Sequence, residues 1–300
     1  MSTQFARVVE CYGRRVIVSL ADGQHHTAEV FGKRLRVVCG DEVELSQSSS
    51  SALQVVAAKP RTSHFTRTDS RGQPEVLAAN ITQLVVLMCE QPASDPYIVD
   101  RYLAGAELGN LKALVVATKQ ELGIGDKLQT YLHEYQQAGH SVHTVSALTG
   151  AGMSELHELL RQETSMLVGE SGVGKSTLTN ALLGNTHQAT REISEATGEG
   201  RHTTVSTALF TLLGGGMLLD SPGVRDYAPA PVNDLQVAFG WRDFQRYAGQ
   251  CKFNNCLHLR EPGCAITQAV SNQEISMRRY ESYKRLLNLM RHLLPSYERR

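Results

Sequence analysis

A chain of 300 residues, 41% hydrophobic and 20% charged, is long enough for two or three domains with ordinary buried cores. Its Lys and Arg balance its Asp and Glu at 30 each, which excludes a uniformly basic nucleic-acid binder. No apolar run approaches the length of a membrane span and Met1 to Arg7 lack an apolar signal core, so a cytoplasmic protein with no membrane contact is expected.

Short alternating segments open the chain at residues 6–10, 15–20, 26–30, 35–38, 43–45 and 53–57, broken by turns at Gly13, Asp22-Gly23 and Cys39-Gly40-Asp41. Strands this short and this closely spaced predict a small barrel. Residues 46–51 read as a polar loop. Residues 60–74, with two prolines, three arginines and Gly72, read as a linker.

The rhythm changes after residue 76. Residues 81–88 form a nearly continuous apolar run, as a parallel strand buried on both faces requires. Helical spacing at 99–108, 127–139 and 153–161 alternates with apolar runs at 113–117, 141–145 and 165–168. That alternation predicts an α/β domain with a mainly parallel sheet. Two further strands are expected at 210–213 and 217–219, around Gly214-Gly215-Gly216. Past Pro229 the chain should be mostly helical, closing with a helix over 273–294 whose apolar positions recur every three to four residues.

Gly169, Glu170, Ser171, Gly172, Val173, Gly174, Lys175 and Ser176 fit the phosphate-loop pattern G-x-x-x-x-G-K-[ST] in full. The motif follows an apolar strand and precedes a helix over 177–183, as its mechanism needs. Glycines let main-chain N–H groups turn inward around phosphate oxygens, and the helix N-terminus favours negative charge. Lys175 would bridge the β- and γ-phosphates, and the Ser176 hydroxyl would hold Mg²⁺. Thr177, next in the chain, is counted with the nucleotide site. Downstream, a short strand ends in Asp220-Ser221-Pro222-Gly223. Asp220 is expected to hold the magnesium through water, and the Gly223 N–H to sense the γ-phosphate. Between the two motifs lies the polar, glycine-rich segment 198–204, where Thr204 is favoured over Thr203 to complete the magnesium shell.

The motif order is unusual. Val224 follows Gly223 where a water-orienting glutamine would stand, and no base-reading N-K-x-D follows the phosphate loop. The nearest equivalent lies upstream, where the strand over 113–117 runs into Thr118, Lys119, Gln120 and Glu121. There a carboxylate would meet the guanine N1 and N2 hydrogens while the lysine stem covers the base. Ser146 and Ala147 end the next strand, where such a pair supports the O6 side. Thr118 stands in place of Asn, and Glu121 in place of Asp.

Near the C-terminus Cys251, Cys256, His258 and Cys264 supply three thiols and an imidazole within fourteen residues. Four such ligands suit one tetrahedral, structural Zn²⁺. Cys11, Cys39 and Cys89 are scattered along the sequence and read as packing residues. Residues 251–300 carry nine Lys and Arg against four acids, so a polyanionic partner should meet this end first. Arg14, Arg15, Lys33, Arg34 and Arg36 give the barrel a second basic surface.

A small barrel, base-reading motifs ahead of the phosphate loop, and a C-x₄-C-x-H-x₅-C knuckle together resemble the bacterial ribosome small subunit-dependent GTPase A family, over nearly the full length. Gly200-Arg201-His202-Thr203-Thr204, Glu261-Pro262-Gly263-Cys264-Ala265 and Arg279-Tyr280-x-x-Tyr283 extend the match. The resemblance implies a multidomain chain: an OB-fold barrel over 1–60 that binds ribosomal RNA, a circularly permuted P-loop GTPase over 61–230, and a mostly helical zinc-binding domain over 231–300. It implies GTP hydrolysis activated by the 30S ribosomal subunit and coupled to release in late subunit maturation, with His202 or a ribosomal group positioning the attacking water. A monomer handling GTP and GDP is expected. Two other readings stay open on sequence: a nucleotide-gated RNA-binding clamp with incidental hydrolysis, and a P-loop ATPase or small-molecule kinase, if Thr118 and Glu121 do not read guanine.

Overall fold

The computed structural model describes residues 4–47, 52–69, 72–184, 207–220 and 227–293. The first five strands are β1 (Gln4–Tyr12), β2 (Arg15–Ser19), β3 (His25–Val30), β4 (Glu42–Gln47) and β5 (Leu53–Ala58). They close in the order β1-β2-β3-β5-β4 and back to β1, with β3 and β5 parallel and the other pairings antiparallel. This is an OB-like barrel, and its alternate residues fill the interior: Val8, Val16, Val18, Val43 and Val55 are fully or almost fully buried.

Residues 35–38, expected as a strand, form none. The Val38 N–H that a ladder would use is taken by the Asp41 carboxylate at 2.8 Å. The same carboxylate, itself fully buried, accepts two hydrogen bonds from Arg61 at 2.7 and 2.8 Å and so pins the barrel to the segment that follows. That segment is no linker. β6 (His64–Thr68) and β7 (Pro74–Ala79) make an antiparallel hairpin with a bulge between Phe65 and Thr66. Pro74 opens its strand, the position where a missing N–H does least harm.

The α/β unit is built on β8 (Gln83–Met88), β9 (Lys112–Ala117), β10 (Ser141–Thr144), β11 (Thr164–Val168), β12 (Ala208–Thr211) and β13 (Met217–Asp220). The order is β10-β9-β8-β11-β13-β12, parallel except for β12. All six residues of β8 are buried, as two covered faces demand. Leu84, Val86 and Met88 face one core with α1 (Pro96–Leu108) and α2 (Asp126–Gln137). Val85 and Leu87 face the other with α3 (Met153–Leu160) and α4 (Lys175–Leu183). α1 starts where Asp95 accepts the Tyr97 N–H at 2.9 Å and Pro96 supplies a preset φ, three residues before the sequence expectation. A single pairing, Glu10 with Ala208, joins β12 to β1, so barrel and α/β sheet run on as one eleven-stranded sheet.

The C-terminal part holds α5 (Asp234–Val237), short 3₁₀ turns, α6 (Ala265–Ser271) and α7 (Met277–Leu293) around Trp241, Phe244 and Tyr283. The helix expected from 273 begins only at Met277, since Gln273 takes a left-handed φ of 62°. A buried ion network fastens this part to the α/β unit. Arg279 bonds Asp243 twice at 2.8 Å and Asp100 of α1 at 2.7 Å, while Arg278 bonds Asp100 at 2.6 Å. Removing one partner of such a set strands a buried charge, so it fixes the relative position of the two parts. Among the described residues no helix is long and apolar enough to cross a membrane.

Candidate nucleotide site and metal centre

The phosphate loop leaves the C-terminal end of β11 and turns into α4. Its glycines take the conformations the turn needs: Gly172 and Gly174 are left-handed, with φ of 80° and 100°. The Lys175 ammonium folds over the loop and donates to the carbonyls of Gly169 at 2.6 Å and Glu170 at 2.9 Å. Burial lowers the Lys175 pKa from its ordinary value, opposed by the nearby carboxylates of Asp220 and Glu170. Asp220 ends β13, whose neighbour in the sheet is β11, so lysine and acid share one end of the sheet. Ser176 and Thr177 follow in the first turn of α4. His202, Thr204, Gly223 and Val224 lie outside the described residues.

The upstream tetrad meets the loop directly. Thr118, just past β9 and 6% exposed, donates its hydroxyl to the Val173 carbonyl at 2.5 Å. Lys119, at a left-handed φ of 59°, donates to the carbonyls of Gly172 at 2.7 Å and Gln91 at 2.8 Å. The Gln120 N–H bonds the Val145 carbonyl at 3.1 Å, which sets the tetrad against the turn holding Ser146 and Ala147. Ser146 is buried, and its oxygen accepts the Thr149 N–H at 3.0 Å. A hydrogen bond from Ser146, with one from its own N–H, holds the exposed Glu121 carboxyl below the usual carboxylate range. Two motifs separated by about fifty residues in sequence are thus one constellation at one end of the sheet.

One brace escaped the sequence reading. The Glu170 carboxylate accepts the Asp95 N–H at 2.7 Å, tying the phosphate loop to the start of α1. Nothing in the spacing signals it, since any residue type satisfies the x positions of the motif.

Cys251, Cys256, His258 and Cys264 bring four ligand atoms within 4.8 Å of one another, a set that could hold a metal ion. The His258 Nδ1 lies 3.6 Å from the Cys251 Sγ and 3.4 Å from the Cys264 Sγ, and those two sulfurs are 4.0 Å apart. Such edges suit a tetrahedron with metal–sulfur bonds of about 2.3 Å. Main-chain N–H groups of Ala265 and Thr267 each point at a sulfur at 3.4 Å, the second-layer support that thiolate ligands need. Glu261 shapes the turn by accepting the N–H groups of Leu257, Leu259 and Arg260 at 2.8 to 3.0 Å. Tyr280 and Tyr283 of α7 donate to the carbonyls of His258 and Leu257, both at 2.7 Å, clamping the knuckle to the last helix. Burial pushes the Cys256 thiol up to about 12 and keeps His258 below its ordinary value, hence neutral as a ligand must be. All four positions come from protein, so the centre is closed and fits a structural role.

Cys11 and Cys39, distant in sequence, meet with sulfurs 3.8 Å apart at the seam of barrel and α/β unit, where the Cys39 thiol also donates to the Thr207 carbonyl. Cys89 is buried beside the phosphate-loop side of the sheet.

Comparison with known proteins agrees with this geometry. The family model described as RsgA GTPase matches residues 58–229. The small ribosomal subunit biogenesis GTPase RsgA of Chromohalobacter salexigens is 35% identical over 291 residues, covering 95% of this chain and 86% of that protein. Its counterpart from Nitrosomonas europaea is 36% identical over 296 residues, covering 97% and 93%. Among solved structures, YjeQ from Thermotoga maritima superposes with a TM-score of 0.75 at 24% identity, covering 96% of this chain and 99% of that one. YloQ, described as a circularly permuted GTPase, gives 0.74 at 22% identity, covering 99% and 98%.

Proposed function

This chain belongs to the RsgA GTPase family, and from that premise we propose that it hydrolyses GTP on the small ribosomal subunit, late in that subunit's maturation, and couples hydrolysis to its own release. The observation that supports the reading is the meeting of Thr118 and Lys119 with the phosphate loop, as expected if base reading and phosphate binding share one site despite their inverted order.

In this account the main-chain amides of residues 169–174 cradle the phosphates and Lys175 exchanges its two loop carbonyls for β- and γ-oxygens. Ser176 and, through water, Asp220 would hold Mg²⁺, which would supply positive charge to the phosphates. Thr204, Gly223 and His202 keep the roles the sequence suggests. Glu121 takes the guanine N1 and N2 hydrogens, and Ser146 and Ala147 line the O6 side. The Cys/His centre holds one Zn²⁺ and stiffens the C-terminal part for docking. We take the units to divide near residues 60 and 230 and the protein to act as a cytoplasmic monomer.

Ribosomal RNA is proposed to meet the barrel. Arg14, Arg15, Lys33, Arg34 and Arg36 are exposed, and the bond from Arg14 to the Val30 carbonyl at 2.7 Å draws the β1–β2 turn beside the loop after β3. Phe31, 61% exposed, stands in the same loop as a stacking surface.

With Val224 in place of a glutamine, the free protein should turn over slowly and its partner should complete the site. Measuring GTP turnover with and without purified small subunits tests this. The expected result is a rise of about tenfold or more with the small subunit and none with the large one. Equal rates in all three conditions would remove the ribosome from the proposal.

A further inference from the structure

We propose that Thr118 braces the base-reading segment to the phosphate loop and leaves N7 of a bound purine unread. The inference rests on residues 118–121 being the base-reading segment. A threonine hydroxyl has one hydrogen to give and lone pairs to accept with. Two carbonyl oxygens face this one: Val173 at 2.5 Å and Met88 at 3.4 Å. Both are acceptors, so the hydrogen is committed to the protein, and the much shorter contact shows it goes to Val173. The residue is only 6% exposed, so the hydroxyl has little open surface toward which to turn.

What Thr118 presents to a bound base is therefore acceptor only. The imidazole edge of any purine carries an acceptor at N7, and guanine adds a second acceptor at O6. Neither can bond an oxygen whose hydrogen is already engaged. An asparagine here would behave differently, because a carboxamide has two N–H donors. One could keep the loop carbonyl while the other reached N7. Threonine thus retains the brace between base-reading segment and phosphate loop and gives up the reading of N7. Guanine is told from adenine elsewhere in either case, because both carry N7: at O6, beside Ser146 and Ala147, and at N1 and N2, where Glu121 is acceptor-only and adenine offers no matching N1 hydrogen.

The test uses full-length, zinc-loaded wild-type protein and displacement of a fluorescent GDP analogue by GDP, 7-deaza-GDP and ADP. Replacing N7 with a C–H group should leave affinity within about twofold of GDP, while ADP binds about tenfold or more weakly. Thr118→Asn, checked for an unchanged melting temperature, should acquire about tenfold discrimination against 7-deaza-GDP. A wild-type loss of about fivefold or more with 7-deaza-GDP, while ADP stays weak, would overturn the proposal and leave the guanine reading intact. Equal binding of GDP and ADP would instead overturn the guanine reading, and this proposal with it. The wild-type comparison decides even if the asparagine variant does not fold.

Discussion

Lys175→Ala is expected to lower GTP turnover by about a thousandfold, equivalent to about 4 kcal/mol of transition-state stabilisation. The phosphoryl in flight spreads charge over oxygens that the protein meets with fixed donors, and an ammonium held in a water-poor loop is the strongest of these. Here the lysine is half-buried, and among the described residues it donates to the Gly169 and Glu170 carbonyls. Those carbonyls are released cheaply when phosphate oxygens arrive, because an ammonium gains more from an anion than from a neutral dipole. The fold should not suffer. Among the described residues the ammonium's hydrogen bonds stay within the loop itself, and alanine is a better helix former at the start of α4. Single-turnover hydrolysis with small subunits present measures the effect, and the melting temperature controls for folding. Turnover within tenfold of wild type would show that charge at residue 175 contributes little.

Removal of the metal should have the second-largest effect, and on structure rather than chemistry. Purified protein is expected to carry one zinc per chain. If a binding free energy of about 10–16 kcal/mol is shared by four ligands, Cys264→Ser should weaken metal binding by about 3 kcal/mol, roughly a hundredfold. Cys264 has a further duty, since its sulfur caps α6 by accepting the Thr267 N–H. Stripped of metal, the segment 251–264 loses what holds its thiols together, and burial then favours the neutral thiol at Cys256. The Trp241, Phe244 and Tyr283 cluster should keep the rest of the C-terminal part folded. The expected readout is a lower-temperature first transition after chelation, restored by zinc, with GDP affinity unchanged. A single unshifted transition in the chelated protein would argue that packing alone supports the knuckle.

The sequence declared its chemistry more clearly than its joints. The phosphate loop and the Cys/His knuckle are local patterns in which spacing itself carries the mechanism, and the family comparison supports the nucleotide-hydrolase reading drawn from them. Strands buried on both faces, such as β8 and β9, were legible because continuous apolar runs have few alternatives. The hairpin β6–β7 was not, because Pro60, Gly72 and Pro74 advertise loop while a two-stranded ribbon needs no apolar run. The missing strand at 35–38 and the late start of the last helix depend on one side-chain bond and one left-handed residue, which alternation and helical periodicity do not register. Contacts that assemble the site span long sequence gaps: Glu170 to Asp95, Lys119 to Gly172, Thr118 to Val173. Each is a polar bond to main chain, to which any partner residue type would serve, so no residue pattern announces it. Cys11 and Cys39, scattered along the sequence, are adjacent in the fold.

The central claim is that residues 118–121 and 169–176 together bind a guanine nucleotide. Isothermal titration of magnesium-supplemented, zinc-loaded protein with a non-hydrolysable GTP analogue addresses it most directly. The account predicts saturable heat at one site per chain, at least about tenfold tighter than for the matching ATP analogue. An absence of heat from correctly folded protein with any purine triphosphate, or tighter binding of the adenine nucleotide, would contradict it.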